Sequence, residues 1–193
     1  MRKSRKRYMI VIGGVGCCIG IALIVIILMV NSQNLQPTTA NSASIGSASI
    51  GGLPINTTAP DFKLFDIEKG EISKELLKGK PLFIFFTTTW CTPCQVGAKQ
   101  LAKYYDETNA GFNVLIIFVD PTEDYKELVK WRQQYGRDSW YIVKDNEQRA
   151  VKDYNIRYLD SKYVLDKDGI VRYFDIRPLS YITAKNVLEP LLR

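Results

Sequence analysis

The sequence predicts an α/β fold, a central mixed β-sheet flanked by helices, preceded by one transmembrane helix. Three observations predict it. Strand and helix signals alternate from about residue 59 to the end. Two continuous apolar runs, Leu82–Phe86 and Val114–Val119, have the composition of strands covered on both faces. Tyr8–Val30 contains 23 residues without a charge.

Taken in order, residues 1–7 are a basic N-terminus. Arg2, Lys3, Arg5, Lys6 and Arg7 supply five of the formal charges that make up the net +6, so the rest of the chain is near +1. A nucleic-acid partner is not expected, because phosphate binding needs its cations clustered on the folded domain. The uncharged segment 8–30 is about 34 Å long as a helix, enough to cross a hydrocarbon core of about 30 Å. The cations on its amino side place the N-terminus in the cytoplasm and the remainder outside. A cleaved signal peptide would have a shorter apolar region and a small-residue site after it, which Met29-Val30-Asn31-Ser32-Gln33 does not offer. Cys17 and Cys18 fall within the apolar run rather than at its end, where a lipid-modified cysteine would stand. They read as small side chains in the bilayer.

Residues 31–58 are rich in Ser, Asn, Thr, Ala and Gly, and Ser-Ala-Ser-Ile-Gly occurs twice, at 42–46 and 47–51. This is the composition of a flexible tether, with an end-to-end distance of about 30 Å. A folded domain is expected over 59–193. Within it, Leu82–Phe86 is a strand that stops at Trp90-Cys91-Thr92-Pro93-Cys94, with a helix running from Cys91 to about Glu107. Val114–Val119 is the next strand. Asp120-Pro121-Thr122-Glu123 has the form of an N-cap followed by Pro and an acid, and predicts a helix from there to about Gly136. Trp140–Val143 reads as a short strand and Glu147–Tyr154 as a short helix. Lys162–Leu165 and Ile170–Phe174 pair across Asp166-Lys167-Asp168-Gly169, and an amphipathic helix closes the chain over Ser180–Leu192.

Two thiols three residues apart at a helix start can close a small disulfide ring. The positive end of the helix favours the thiolate of Cys91. Cys91 would then be the more exposed nucleophile and Cys94, one turn in, the buried thiol that resolves a mixed disulfide. Trp90 would shield one side of the pair and Pro93 would hold the first turn. The competing reading is an inert disulfide or buried thiol pair.

The motif and its surroundings resemble the thioredoxin superfamily, in particular the membrane-tethered TlpA/ResA branch of thiol-disulfide oxidoreductases. The matching residues are Ala59-Pro60-Asp61-Phe62-Lys63-Leu64, Leu77-Lys78-Gly79-Lys80-Pro81, the Trp-Cys-Thr-Pro-Cys itself and Val164–Gly169, and the likeness spans roughly residues 54–192. The resemblance implies a thioredoxin-like fold and disulfide exchange with protein dithiols and disulfides outside the cytoplasm. It also implies a membrane electron donor as a further partner class, with no cofactor and no metal.

The sequence departs from that family at three positions. The buried acid that thioredoxin carries six residues before its first cysteine is Phe85 here, and the Glu that the ResA type carries three after its second is Gly97. The family's cis-proline, which faces the cysteine pair, corresponds to Asp160. No Pro lies between Pro121 and Pro178, so a trans peptide is expected there. Asp160 is therefore either a solvated loop residue or a carboxylate that has taken over proton acceptance beside the thiols.

The chain has no histidine, which removes Cys-His and Ser-His-Asp catalysis and the commonest metal ligand together. Its three Met are Met1, Met9 and Met29, so a soft metal would have only the thiolates of Cys91 and Cys94. A peroxidase of the peroxiredoxin kind has, by resemblance, a Pro where this chain has Ile84. The expected function is membrane-tethered, extracytoplasmic thiol-disulfide exchange through Cys91 and Cys94. The alternative is a non-catalytic tethered module binding a partner or soft metal through the same thiols.

Overall fold

The computed structural model describes residues 51–193. The basic N-terminus, the expected transmembrane segment 8–30 and most of the expected tether lie outside the described residues. Among those described, no helix is long and apolar enough to cross a membrane.

Seven strands form one mixed sheet in the order β2-β1-β5-β4-β3-β6-β7. They are β1 (Lys63–Asp66), β2 (Gly70–Ser73), β3 (Leu82–Thr87), β4 (Asn113–Phe118), β5 (Tyr141–Lys144), β6 (Ser161–Leu165) and β7 (Val171–Asp175). The helices are α1 (Thr92–Glu107), α2 (Tyr125–Tyr135), α3 (Arg149–Asp153) and α4 (Tyr181–Leu188), the last running into a 3₁₀ turn over Glu189–Leu191. β3, β4 and β5 pair in parallel, while β6 joins β3 and β7 in antiparallel fashion. This is the mixed α/β arrangement expected, with the β1–β2 hairpin as an unforeseen addition at one edge.

Every residue of β3 is buried, and its alternation divides the core. Phe83 and Phe85 face the side covered by α1, with Val114, Ile116 and Val164 from the neighbouring strands and Ala98 and Leu101 from the helix. Leu82, Ile84 and Phe86 face the other side, with Leu115, Ile117, Val143 and Tyr163. The registers Phe83↔Val114 and Phe85↔Ile116 put apolar side chains together on the α1 face. Burying each Phe removes enough apolar surface to contribute about 1.5–3 kcal/mol, which holds β3 in the sheet interior between β4 and β6.

Two boundaries differ from the sequence expectation for identifiable reasons. α2 starts at Tyr125, not at Asp120-Pro121, because Asp124 and Glu127 form a complete capping box that satisfies both N-terminal amides. The closing helix divides after Leu188, where Pro190 cannot continue the α-helical ladder.

Residues 51–58, read from composition as the end of the tether, are hydrogen-bonded onto the domain. Gly52 N–H donates to Asn155 O at 2.9 Å, Leu53 N–H to the Tyr163 hydroxyl at 2.8 Å and Asn56 N–H to Val171 O at 2.8 Å. At Gly52, φ is +86° and a Cβ would lie 2.4 Å from the Phe174 ring, so only glycine fits.

Candidate active site at the head of helix α1

β3 ends at Thr87, and the chain turns through Thr88-Thr89-Trp90 into α1 with Cys91 as the N-cap. Cys91 and Cys94 are joined by a disulfide whose Cα atoms are 5.3 Å apart, within the ordinary range. Cys91 is 7% exposed and Cys94 not at all. Pro93 stands in the first turn of α1, where its missing N–H costs nothing, and no acidic side chain occupies that turn. The positive end of the helix therefore acts on the cysteines without a competing carboxylate from α1 itself.

The approach to Cys91 is held from several directions. Cys91 N–H donates to Thr88 O at 3.3 Å, and the Gln95 side-chain amide donates to Thr89 O at 2.7 Å. Trp90 is 61% exposed and its indole N–H donates to Asp120 Oδ2 at 3.3 Å. It stands at the rim of the site. The hydroxyl and amide of Thr122, together with that indole, hold the Asp120 carboxyl below the usual carboxylate range.

Glu123 is the residue that sequence reasoning placed elsewhere. Its place two residues after Pro121 predicts an acid in a helical first turn. Because α2 starts later, Glu123 turns inward, is buried, and accepts the Thr89 N–H on Oε1. Its Oε2 is buried without a hydrogen-bond partner, and burial pushes its pKa up. The only local signal for this was a second acid pair, Asp124 and Glu127, competing for the cap.

The family positions are filled as follows. Phe85 is completely buried among the same residues as Cys91 and Cys94. Gly97 is buried too, and a Cβ there would meet Leu179 Cβ at 3.2 Å, so the segment leading into α4 crowds any side chain at this position. Asp160 sits at a trans peptide with φ +64°, a left-handed conformation that Asp tolerates better than most. It is not a solvated loop residue. It is 6% exposed, and its Oδ1 accepts from Lys162 Nζ at 2.8 Å, because the strand that follows turns that lysine inward. The neighbouring Leu159 packs on the cluster containing both cysteines. The structure thus brings Cys91, Cys94, Trp90 and Pro93 together at one helix head, with Asp160 on the loop beside their cluster. Among the described residues no group of three or more His, Cys, Asp or Glu could hold a metal ion.

Residues 55–174 match the AhpC/TSA family. The chain belongs to that family. Among relatives in it, the thiol-disulfide oxidoreductase ResA of Bacillus anthracis is 30% identical over 119 residues, 62% of this chain and 68% of its own length. The thiol:disulfide interchange protein DsbE of Pseudomonas aeruginosa is 23% identical over 178 residues, 90% of this chain and 89% of its own. A thiol:disulfide interchange protein of the thioredoxin family from Chlorobium tepidum superposes with a TM-score of 0.62 at 22% identity, covering 73% of this chain and 99% of that one. That last likeness shows the thioredoxin-like fold. This AhpC/TSA member is a thiol-disulfide oxidoreductase with a Cys91–Cys94 pair.

Proposed function

We propose that the chain is a membrane-tethered, extracytoplasmic oxidoreductase that exchanges disulfides with other proteins, with Cys91 as entering nucleophile and Cys94 as resolving thiol. The observation that carries this reading is the asymmetry of the pair. Cys91 caps α1 with some of its surface in solvent, while Cys94 is sealed inside the first turn. An incoming sulfur meets Cys91 first, and only Cys94 is placed to displace it.

The uncharged segment 8–30 supports the anchor and the basic residues before it support the orientation. Exposed Trp90 at the rim gives a protein client an apolar surface beside the sulfurs. A membrane dithiol donor is the second partner class that an anchored domain of this kind would meet.

The test is to express the full chain as Cys94→Ser and isolate mixed disulfides from the extracytoplasmic side. Protein adducts on Cys91, absent from a Cys91→Ser control, are the expected result. Adducts that form equally through Cys94 in the converse variant would refute the assigned roles, and none through either cysteine would refute protein exchange.

A further inference from the structure

Three large apolar side chains that stand in solvent fall on one line across the sheet. Trp90 is at the turn after β3, Tyr125 (51% exposed) opens α2, and Phe65 (67% exposed) is on β1. The antiparallel register Asp66↔Val143 sets Phe65 beside Lys144, the last residue of β5. Lys144 Nζ lies 5.4 Å from the centre of the Tyr125 ring and donates to Glu123 O at 2.6 Å. Glu123 in turn accepts the Thr89 N–H, one residue before Trp90. The line therefore ends at the turn that carries Cys91.

The two aromatics nearer the sulfurs are held in place while staying open to solvent. The Trp90 indole is tied to Asp120, and Tyr125 lies under the Lys144 ammonium with Asn146 Nδ2 donating to its hydroxyl at 3.4 Å. Single exposed apolar side chains need no explanation, but three in line with a reactive sulfur mark an interaction surface.

The charges along the line are unequally satisfied. Lys63 and Glu71, on the two strands that hold Phe65, pair at 3.1 Å. The Asp120 oxygens are taken by the Trp90 indole and by the amide and hydroxyl of Thr122. The Lys144 ammonium bonds a backbone carbonyl, so among the described residues its positive charge has no carboxylate partner.

We propose that Trp90, Tyr125 and Phe65 dock the extended segment beside a client's cysteine, and that Lys144 selects an acidic residue within that segment. The proposal rests on the exchange reading above and names the chemistry of the client that reading requires. The occupant follows from continuity, because Cys91 adjoins Trp90 and the chain on one side of a client's bonded cysteine runs over the line. In the order β1-β5-β4-β3, Phe65 is three strand spacings from β3, roughly 14 Å, and Lys144 is two, roughly 10 Å. An extended chain covers about 3.4 Å per residue, which sets the client's apolar residue about four positions from its cysteine and the acid about three.

The probe is a synthetic peptide whose cysteine is joined to thionitrobenzoate, with Glu three and Phe four positions away, made in both chain directions. The protein is the reduced full chain carrying Cys94→Ser in detergent, with the chain carrying both Cys91→Ser and Cys94→Ser as blank. Cys91 attacks the peptide sulfur, the Cys91–peptide bond forms as the bond to thionitrobenzoate breaks, and the coloured thiolate leaves. Dithiobisnitrobenzoate, which has no peptide, gives the reference rate. For the faster peptide direction, the ratio of peptide to reference rates should fall about tenfold in Phe65→Ser and in Tyr125→Ser, the size of a lost aromatic anchor. Exchanging the peptide's Glu for Lys should lower the ratio several-fold in the parent and not in Lys144→Gln. Tyr158 is an exposed aromatic outside the line, and an equal fall in Tyr158→Ser would overturn the assignment. A ratio unmoved by Phe65→Ser and Tyr125→Ser would overturn the proposal, and so would a ratio unmoved when the peptide's Phe becomes Ser on the parent chain, which tests the same contact without altering the protein. A dimer that Phe65→Ser dissociates while the ratio holds would give the line to a second copy and would also overturn it. No release above the blank from either disulfide would instead refute Cys91 as the nucleophile, so the two failures can be told apart.

Discussion

Replacing Glu123 by Gln removes a buried charge from behind the nucleophile while keeping an oxygen that can accept the Thr89 N–H. Thr89 is two residues from Cys91 in one tight turn, so the carboxylate and the Cys91 sulfur are taken as roughly 8 Å apart, close to the limit that two residues of chain can span. At an effective dielectric of about 20, two unit charges at that distance repel by about 2 kcal/mol. That is about 1.5 pH units on the Cys91 thiol. Glu123→Gln should therefore lower the Cys91 pKa by up to that amount at pH values where Glu123 is ionised. The assay is alkylation rate or ultraviolet thiolate absorbance of the reduced protein against pH.

Stability supplies an independent check on the same substitution. Burial raises the folded pKa of Glu123 above its unfolded value of about 4.3, so its contribution is fully present below that pH and is lost as pH rises through the folded pKa. Gln cannot ionise. The stability of the parent relative to Glu123→Gln should therefore fall as pH rises, by about 1.4 kcal/mol for each unit of displacement. An unchanged Cys91 pKa together with a constant stability difference would refute the electrostatic role assigned to Glu123.

Other substitutions test the packing around the site. Gly52→Ala forces a Cβ to 2.4 Å from the Phe174 ring at a φ of +86°, and should cost about 2–4 kcal/mol in denaturant unfolding. A change under about 0.5 kcal/mol would show that residues 51–58 do not hold the fold. Gly97→Glu introduces a buried carboxylate against Leu179 and should destabilise by at least about 3 kcal/mol without speeding the second thiol step. A folded Gly97→Glu variant that resolves mixed disulfides faster would contradict the claim that Leu179 closes this position.

The central strands and the helix head were legible because their signals are local. β3 and β4 are continuous apolar runs, and the Trp-Cys-Thr-Pro-Cys sequence marks its own turn into α1. What escaped depends on contacts between distant residues. Asp120-Pro121 imitates a helix start, and only the satisfied capping box at Asp124 and the need of the Thr89 amide for an acceptor decide that Glu123 goes inward. Lys162, in a run reading Ser-Lys-Tyr-Val-Leu, gave no hint of complete burial, since its partner Asp160 was expected to face solvent or the thiols. Residues 51–58 looked like tether because composition does not reveal a bond such as that of Leu53 to Tyr163, 110 residues away. The departures at Phe85, Gly97 and Asp160 were visible at once, but their meaning required the register of β6 on β3 and the approach of Leu179 to α1.

The central claim is that the Cys91–Cys94 pair is a working couple rather than a staple. It is tested most directly by equilibrating the folded full chain in detergent with thiol–disulfide buffers of graded potential and counting free thiols by mass after acid quenching. The account predicts a reversible two-electron transition confined to Cys91 and Cys94, absent from Cys91→Ser and from Cys94→Ser, with far-ultraviolet dichroism unchanged across it. A pair that stays oxidised until the domain unfolds would contradict the account.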